Sequence, residues 1–160
     1  MRIESSVRKI LPVSLLLEDK PCLIVGGGPI AVRKAGHLLA AGASVTVVSP
    51  ELCPAMARLK KAHKIRHRPR AFAAADVKGQ SLVFAATDSG PVNLRVLKAC
   101  RKGRVLCCAA DANWHEGDFM TPAIIRRAAL TVAISTGGQS CKRARRVKER
   151  VEQVLIAEKL

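Results

Sequence analysis

Apolar and polar positions along the chain fall into short runs that alternate between two periods. Cys22 to Val25, Val45 to Val48, Ser81 to Ala86 and Val105 to Ala110 are nearly unbroken apolar stretches of strand length. Strands with this character are buried on both faces, as in a parallel sheet covered by helices. Helical patterns lie between them: Ala31 to Ala41, stopped by Gly42; Glu51 to Ala62, carrying Met56 and Leu59; and Val92 to Arg101, with Val92, Val96 and Leu97 on one face and Gly103 as its stop. A poorer third strand is expected near Ile65 to His67, closed by Pro69. Pro122 is expected to open a short helix through Arg127, and Leu130 to Ile134 reads as a sixth strand. After Ser140, Ala144, Val147, Val151, Val154 and Leu155 recur at helical spacing opposite a charged face, which predicts a last amphipathic helix. The alternation is that of an α/β fold with an open parallel sheet.

Composition narrows this picture. A chain of 160 residues suits a domain with a true core, and with three Phe, one Trp and no Tyr that core has to be aliphatic. The six cysteines show no Cys-x-x-Cys pair and no zinc-like spacing with the four histidines, so no metal site is expected. No signal peptide and no membrane-length apolar run is visible, which points to reduced thiols in a cytoplasm and to no membrane partner. Cys107 and Cys108 are adjacent in a predicted strand, where they face opposite ways and read as small buried hydrophobes.

The net charge of +16 implies an anionic partner. The basic runs, Lys60-Lys61, Arg66 to Arg70 and Lys142 to Arg146, carry no interleaved aromatics of the kind that stack on nucleic-acid bases. By charge, a polyanionic small molecule is an equally good partner. A plain solvated basic surface is the other reading of each run.

Candidate chemistry begins at Gly26-Gly27-Gly28-Pro29-Ile30-Ala31, a Gly-x-Gly-x-x-Ala turn directly between the first strand and the first helix. Gly26 and Gly28 allow a pyrophosphate to approach the main chain while the helix presents its positive end, and Ala31 permits close helix–strand packing. Pro29 removes one amide but suits a helix start. The usual ribose-binding acid is missing at the end of the second strand, where Val48-Ser49-Pro50 stands and Glu51 follows a little late. No basic residue lies between Val45 and Leu52 to hold a 2′-phosphate, so NAD is expected over NADP. Ligands of open parallel sheets sit beyond the carboxyl ends of the strands. The residues there are Gly26, Gly28, Pro29 and Ile30, then Pro50 and Glu51, then Ala86, Thr87 and Asp88, then Asp111, and finally Ser135, Thr136, Gly137 and Gly138. The expected architecture is a Rossmann-like NAD-binding domain over residues 1–138, with residues 139–160 a helical segment used in dimerisation.

Several blocks carry a family resemblance: Leu11-Pro12; Leu23 to Lys34; Val45 to Leu52; Ala85-Ala86-Thr87-Asp88 with Val92-Asn93; Asp118-Phe119 with Pro122-Ala123-Ile124; and Val132 to Gly138 with Ser140. In this order and spacing, over roughly residues 11–154, the chain resembles the precorrin-2 dehydrogenase family, the N-terminal module of sirohaem synthases. The resemblance implies oxidation of precorrin-2 to sirohydrochlorin with NAD as hydride acceptor, in a homodimer. Precorrin-2 carries eight carboxylate arms, which gives the positive charge a target, and with it nucleic acid is not the partner expected. Arg126, Arg127, Arg143 and Arg146 are the candidates to hold them, with the Ser135 to Gly138 loop.

The same resemblance assigns the chemistry to Asp111, matching a family aspartate that closes the fifth strand in an Asn-Val-Val-Asp setting; here the stretch is Cys108-Ala109-Ala110-Asp111. A carboxylate near the nicotinamide can take the proton that accompanies hydride loss. His115 and Asp118, in the same loop, are alternative bases, and Asp111 could instead cap the following turn. Cys141 replaces a proline of the family, and the chain stops at Leu160 where relatives commonly continue into a helical module, so metal insertion is not expected. The competing reading is a non-catalytic dinucleotide-sensing module, which would need the glycine turn but no base.

Overall fold

The computed structural model describes residues 9–158. Within Leu15–Phe119, which form one compact unit, five strands and three helices alternate: β1 (Pro21–Val25), α1 (Pro29–Leu39), β2 (Ser44–Val48), α2 (Pro54–Lys61), β3 (Arg66–Arg68), β4 (Leu82–Ala85), α3 (Gly90–Gly103) and β5 (Leu106–Ala109). All pairings are parallel in the order β3-β2-β1-β4-β5, the Rossmann-like arrangement expected. Strand alternation divides the core. Cys22, Ile24, Val45, Val47 and Phe84 pack under α1 and α2 with Ala35, Leu38 and Met56. Leu23, Val25, Val83, Cys107 and Ala109 pack on the other side with Val96, Leu97 and Cys100 of α3. Burial on both faces is why these strands read as unbroken apolar runs.

Helix ends differ slightly from the sequence pattern. α1 begins at Pro29, whose fixed φ suits a first helical position, and Gly42 after it takes a left-handed φ of 73°. At the end of α3 the left-handed residue is Arg104 (φ 53°), while Gly103 remains helical.

Residues 120–158, together with 9–14, form a second compact unit. Here two expectations are corrected. The segment expected as a short helix is β6 (Ala123–Arg127), and Leu130–Ile134 is β7, its antiparallel partner, rather than a sixth strand of the parallel sheet. Only Ala128 and Ala129 separate them, with Ala128 left-handed (φ 46°). Two residues can close a hairpin, whereas a parallel connection needs a crossover of about a dozen. The first compact unit ends at Phe119 and the second resumes at Met120. α4 (Cys141–Ala157) packs on the hairpin, burying Ala144 and Leu155. Among the described residues, no helix is long and apolar enough to cross a membrane.

Candidate functional site

The glycine turn is held from three sides. Gly26 donates to the Val48 carbonyl (2.9 Å), Cys53 donates to the Gly27 carbonyl (2.9 Å), and Ala86 donates to the Val25 carbonyl (2.8 Å). This crowding explains two glycines. Gly26 has φ 124°, and a Cβ there would lie 2.3 Å from the Ala86 carbonyl oxygen; on Gly27 it would lie 2.0 Å from that of Glu51. Their missing side chains serve the protein's own packing. Gly28 is different, since a Cβ there would meet nothing within 4 Å. Gly28 is the N-cap of α1 and no side chain caps that helix. Open space thus faces the positive end of an 11-residue helix, a cradle that fits the pyrophosphate of a dinucleotide.

Beyond β2, Ser49 is buried and donates from Oγ to the Glu51 carbonyl (2.7 Å), while the His67 ring donates from Nε2 to the Ser49 carbonyl (2.9 Å). Pro50 and Glu51 stand exposed on this braced loop. His67 was visible in the sequence only as part of a weak strand. Its bracing role depends on β3 lying beside β2, with His67 in register with Val47.

The ends of β4 and β5 are joined by one side chain. Asn93, in the first turn of α3, is fully buried. Its Oδ1 accepts from Thr87 N (3.1 Å) and Thr87 Oγ1 (2.8 Å), and its Nδ2 donates to the Thr87 carbonyl (3.0 Å) and to Asp111 Oδ2 (2.7 Å). Thr87 is thus fixed in place, Asp88 beside it is exposed, and Ala86 is buried against Gly26. Asp111 is partly exposed just beyond β5, and its carbonyl accepts from Trp114 N (3.1 Å).

The two alternative bases are placed otherwise. Asp118 Oδ2 accepts from Cys107 N (2.9 Å), which ties it to the outer side of β5. His115 is exposed, with Nε2 3.7 Å from the Glu116 carboxylate. Of the three, Asp111 is the one joined to the loop at the end of β4.

Part of the positive charge is taken up structurally. Arg68 donates to Asp76 Oδ1 (2.7 Å), and Arg70 also grips the same buried carboxylate. The Arg70 hydrogen bond is the largest influence holding Asp76 down at about pKa 2. Two of the buried cysteines are poor nucleophiles for a related reason: burial pushes the Cys22 thiol up to about 11, and a hydrogen bond to Cys100 together with burial raises Cys107.

In the second unit, Ser135 to Ser140 form a tight loop with Gly137 and Gly138 left-handed (φ 61° and 81°). Ser135 Oγ accepts from Gly137 N (3.2 Å), and Thr136 Oγ1 accepts from Ser140 N (3.1 Å). Ser140 caps α4 by accepting from Arg143 N (3.1 Å). Arg143 and Arg146 are exposed and share one helix face. Arg126 and Arg127 are successive strand residues and so point to opposite faces of the hairpin. Strand alternation lets only one of that pair serve a given ligand.

Comparison with known proteins agrees with this geometry. The family described as "Putative NAD(P)-binding" matches residues 13–123, and the one described as "Sirohaem biosynthesis protein central" matches residues 127–153. The siroheme synthase of Thioalkalivibrio sulfidiphilus is 44% identical over 146 residues, which are 91% of this chain and 30% of that protein. That of Methylococcus capsulatus is 44% identical over 142 residues, 89% of this chain and 30% of that one. The chain therefore spans about 30% of the length of these curated relatives. A solved structure of "SirC, precorrin-2 dehydrogenase" superposes with a TM-score of 0.77 at 29% identity, covering 90% of this chain and 70% of that one. With its glycine turn, its sheet order and a family match over residues 13–123, the chain belongs to the family described as "Putative NAD(P)-binding", and over most of its length it is similar to part of the siroheme synthases and to a precorrin-2 dehydrogenase.

Proposed function

We propose that the protein oxidises precorrin-2 to sirohydrochlorin with NAD, and that Asp111 is its base. The observation that carries this reading is the placement of Asp111 beyond β5, joined through Asn93 to the Thr87 loop of the cofactor crevice. Gly28 and the start of α1 hold the pyrophosphate, the Ser49 to Glu51 loop receives the ribose, and Thr87 with Asp88 lines the floor. NAD, when bound, accepts the hydride. Asp111 takes the proton that leaves the tetrapyrrole in the same oxidation, so that two hydrogens and two electrons are removed in all. Within the second unit, Arg143 and Arg146, one of Arg126 and Arg127, and the Ser135 to Gly138 loop are the groups whose chemistry suits carboxylates. The test is to mix the protein with NAD and precorrin-2 and to follow NADH absorbance. NADH formation is the expected result. Tight NAD binding without NADH would leave a dinucleotide sensor instead.

Two copies associate through α4 in this reading. Val147 and Val154, seven residues apart on one face of α4, are 39% and 54% exposed, a stripe that a second subunit would cover. Light scattering at micromolar protein checks this: a dimer mass is expected, and a monomer mass would remove the idea.

A further inference from the structure

Three partners fix the Asn93 amide, with the Thr87 N–H donating to Oδ1 and the Thr87 carbonyl and Asp111 Oδ2 accepting from Nδ2, which leaves it no alternative orientation. The Thr87 main-chain N–H can only donate, and it points at Oδ1. Flipping the amide would set that donor against an NH2 group and set the Thr87 carbonyl against an oxygen. Asn93 has no exposed surface, so water could not repair either mismatch. One hydrogen of Nδ2 is therefore obliged to point at Asp111 Oδ2, at 2.7 Å, the short end of the range for such a bond.

We infer that Asn93 is the positioning residue for Asp111: its locked amide aims the carboxylate, occupies Oδ2 with an N–H rather than a proton, and ties the base to the Thr87 loop. The inference rests on the reading of Asp111 as base. Asn93 touches neither substrate nor cofactor in this role and acts through Asp111. The two residues are 18 apart in the chain, so the link is made by β4, α3 and β5 together.

The test is a double-mutant cycle on turnover, with Asp111→Asn, Asn93→Ala and the pair. Asn93→Ala is expected to lower kcat about 10- to 100-fold, the cost of a mis-aimed catalytic group, with the KM for NAD within about threefold. In the Asp111→Asn background the same change is expected to cost nothing further. An equal loss in both backgrounds would overturn the inference, because Asn93 would then act through the fold or through Thr87 alone. Near-normal turnover of Asp111→Asn by itself would instead overturn the base reading, and the inference with it. A second variant, Asn93→Asp, keeps the shape and the acceptor for Thr87 but sets a second carboxylate against Asp111. Its acidic limb in the pH–kcat profile is expected to move up by about one unit or more through like-charge repulsion. An unmoved limb in a folded Asn93→Asp protein would also overturn the inference.

Discussion

Cys107 and Asp118 hold each other by two hydrogen bonds: Cys107 N donates to Asp118 Oδ2 at 2.9 Å, and Asp118 N donates to the Cys107 carbonyl at 2.8 Å. β5 is the last strand of its sheet, and this clasp draws the chain after Asp111 back over its open edge. Asp118 is therefore a structural group. Asp118→Ala is expected to lower unfolding stability by about 1 kcal/mol in urea titration, while turnover falls far less than in Asp111→Asn.

Asp111→Asn keeps the size of the side chain but removes the proposed proton acceptor. Turnover is expected to drop about 100- to 10,000-fold, with NAD affinity by calorimetry nearly unchanged. His115→Asn, on an exposed side chain beside Glu116, is expected to stay within a few-fold of the parent.

Neighbouring glycines should fail in opposite ways. Gly27→Ala forces a Cβ to within 2.0 Å of the Glu51 carbonyl oxygen and is expected to destabilise by about 1–3 kcal/mol. Gly28 has open space and an extended backbone (φ −86°, ψ −175°) that a β-branched residue accepts. Gly28→Val is expected to unfold at nearly the parent temperature and yet lose NAD binding, since the side chain occupies the pyrophosphate's place. Thermal unfolding and calorimetry on both variants separate the two effects.

Asp76 sets part of the acid limit of stability. Its carboxyl is held near 2 against an ordinary 3.8. A depressed carboxyl stabilises the fold above its unfolded pKa and loses that contribution as pH falls through its folded one. The stabilisation, about 2 kcal/mol by linkage, should be complete above pH 4 and should vanish between about 4 and 2. Asp76→Asn is expected to flatten the stability curve in that interval, measured by urea unfolding at successive pH values.

The tail supplies a test of assembly. Val147→Asp with Val151→Asp places charges on the apolar stripe of α4 and is expected to split the proposed dimer, because each charge would be buried unpaired. Light scattering of the double variant reads the result directly.

β1, β2, β4 and β5 were legible because burial on both faces leaves an apolar signature that no local effect disguises. Ala123 to Arg127 was not, since five residues after a proline fit one helical turn or one strand equally well, and only the two-residue link to Leu130 decides for a hairpin. In the candidate site, the glycine turn is legible from its motif between a strand and a helix, whereas Asp111 stands out only through the family resemblance. Gly27 stood in a variable place of the motif, and its need for glycine comes from Glu51, which the fold brings beside it. Asn93 stands in the sequence as part of the Val92-Asn93 block that carries the resemblance, with no role attached to it. Its importance lies in partners on two other strand ends, and no local pattern encodes such a meeting.

The bonds that fix the glycine turn come from the ends of β1, β2 and β4 and from the start of α2, so the turn takes its shape when the sheet forms. Ordering a flexible loop costs about 1–2 kcal/mol per residue in lost backbone freedom, and here that loss belongs to folding rather than to ligand capture. The turn is a mould and not a clasp. Association should then be governed by diffusion and charge, with no loop-closing phase, and the amides of Gly26 and Cys53 should exchange with solvent as slowly as those of the core strands even before a dinucleotide arrives.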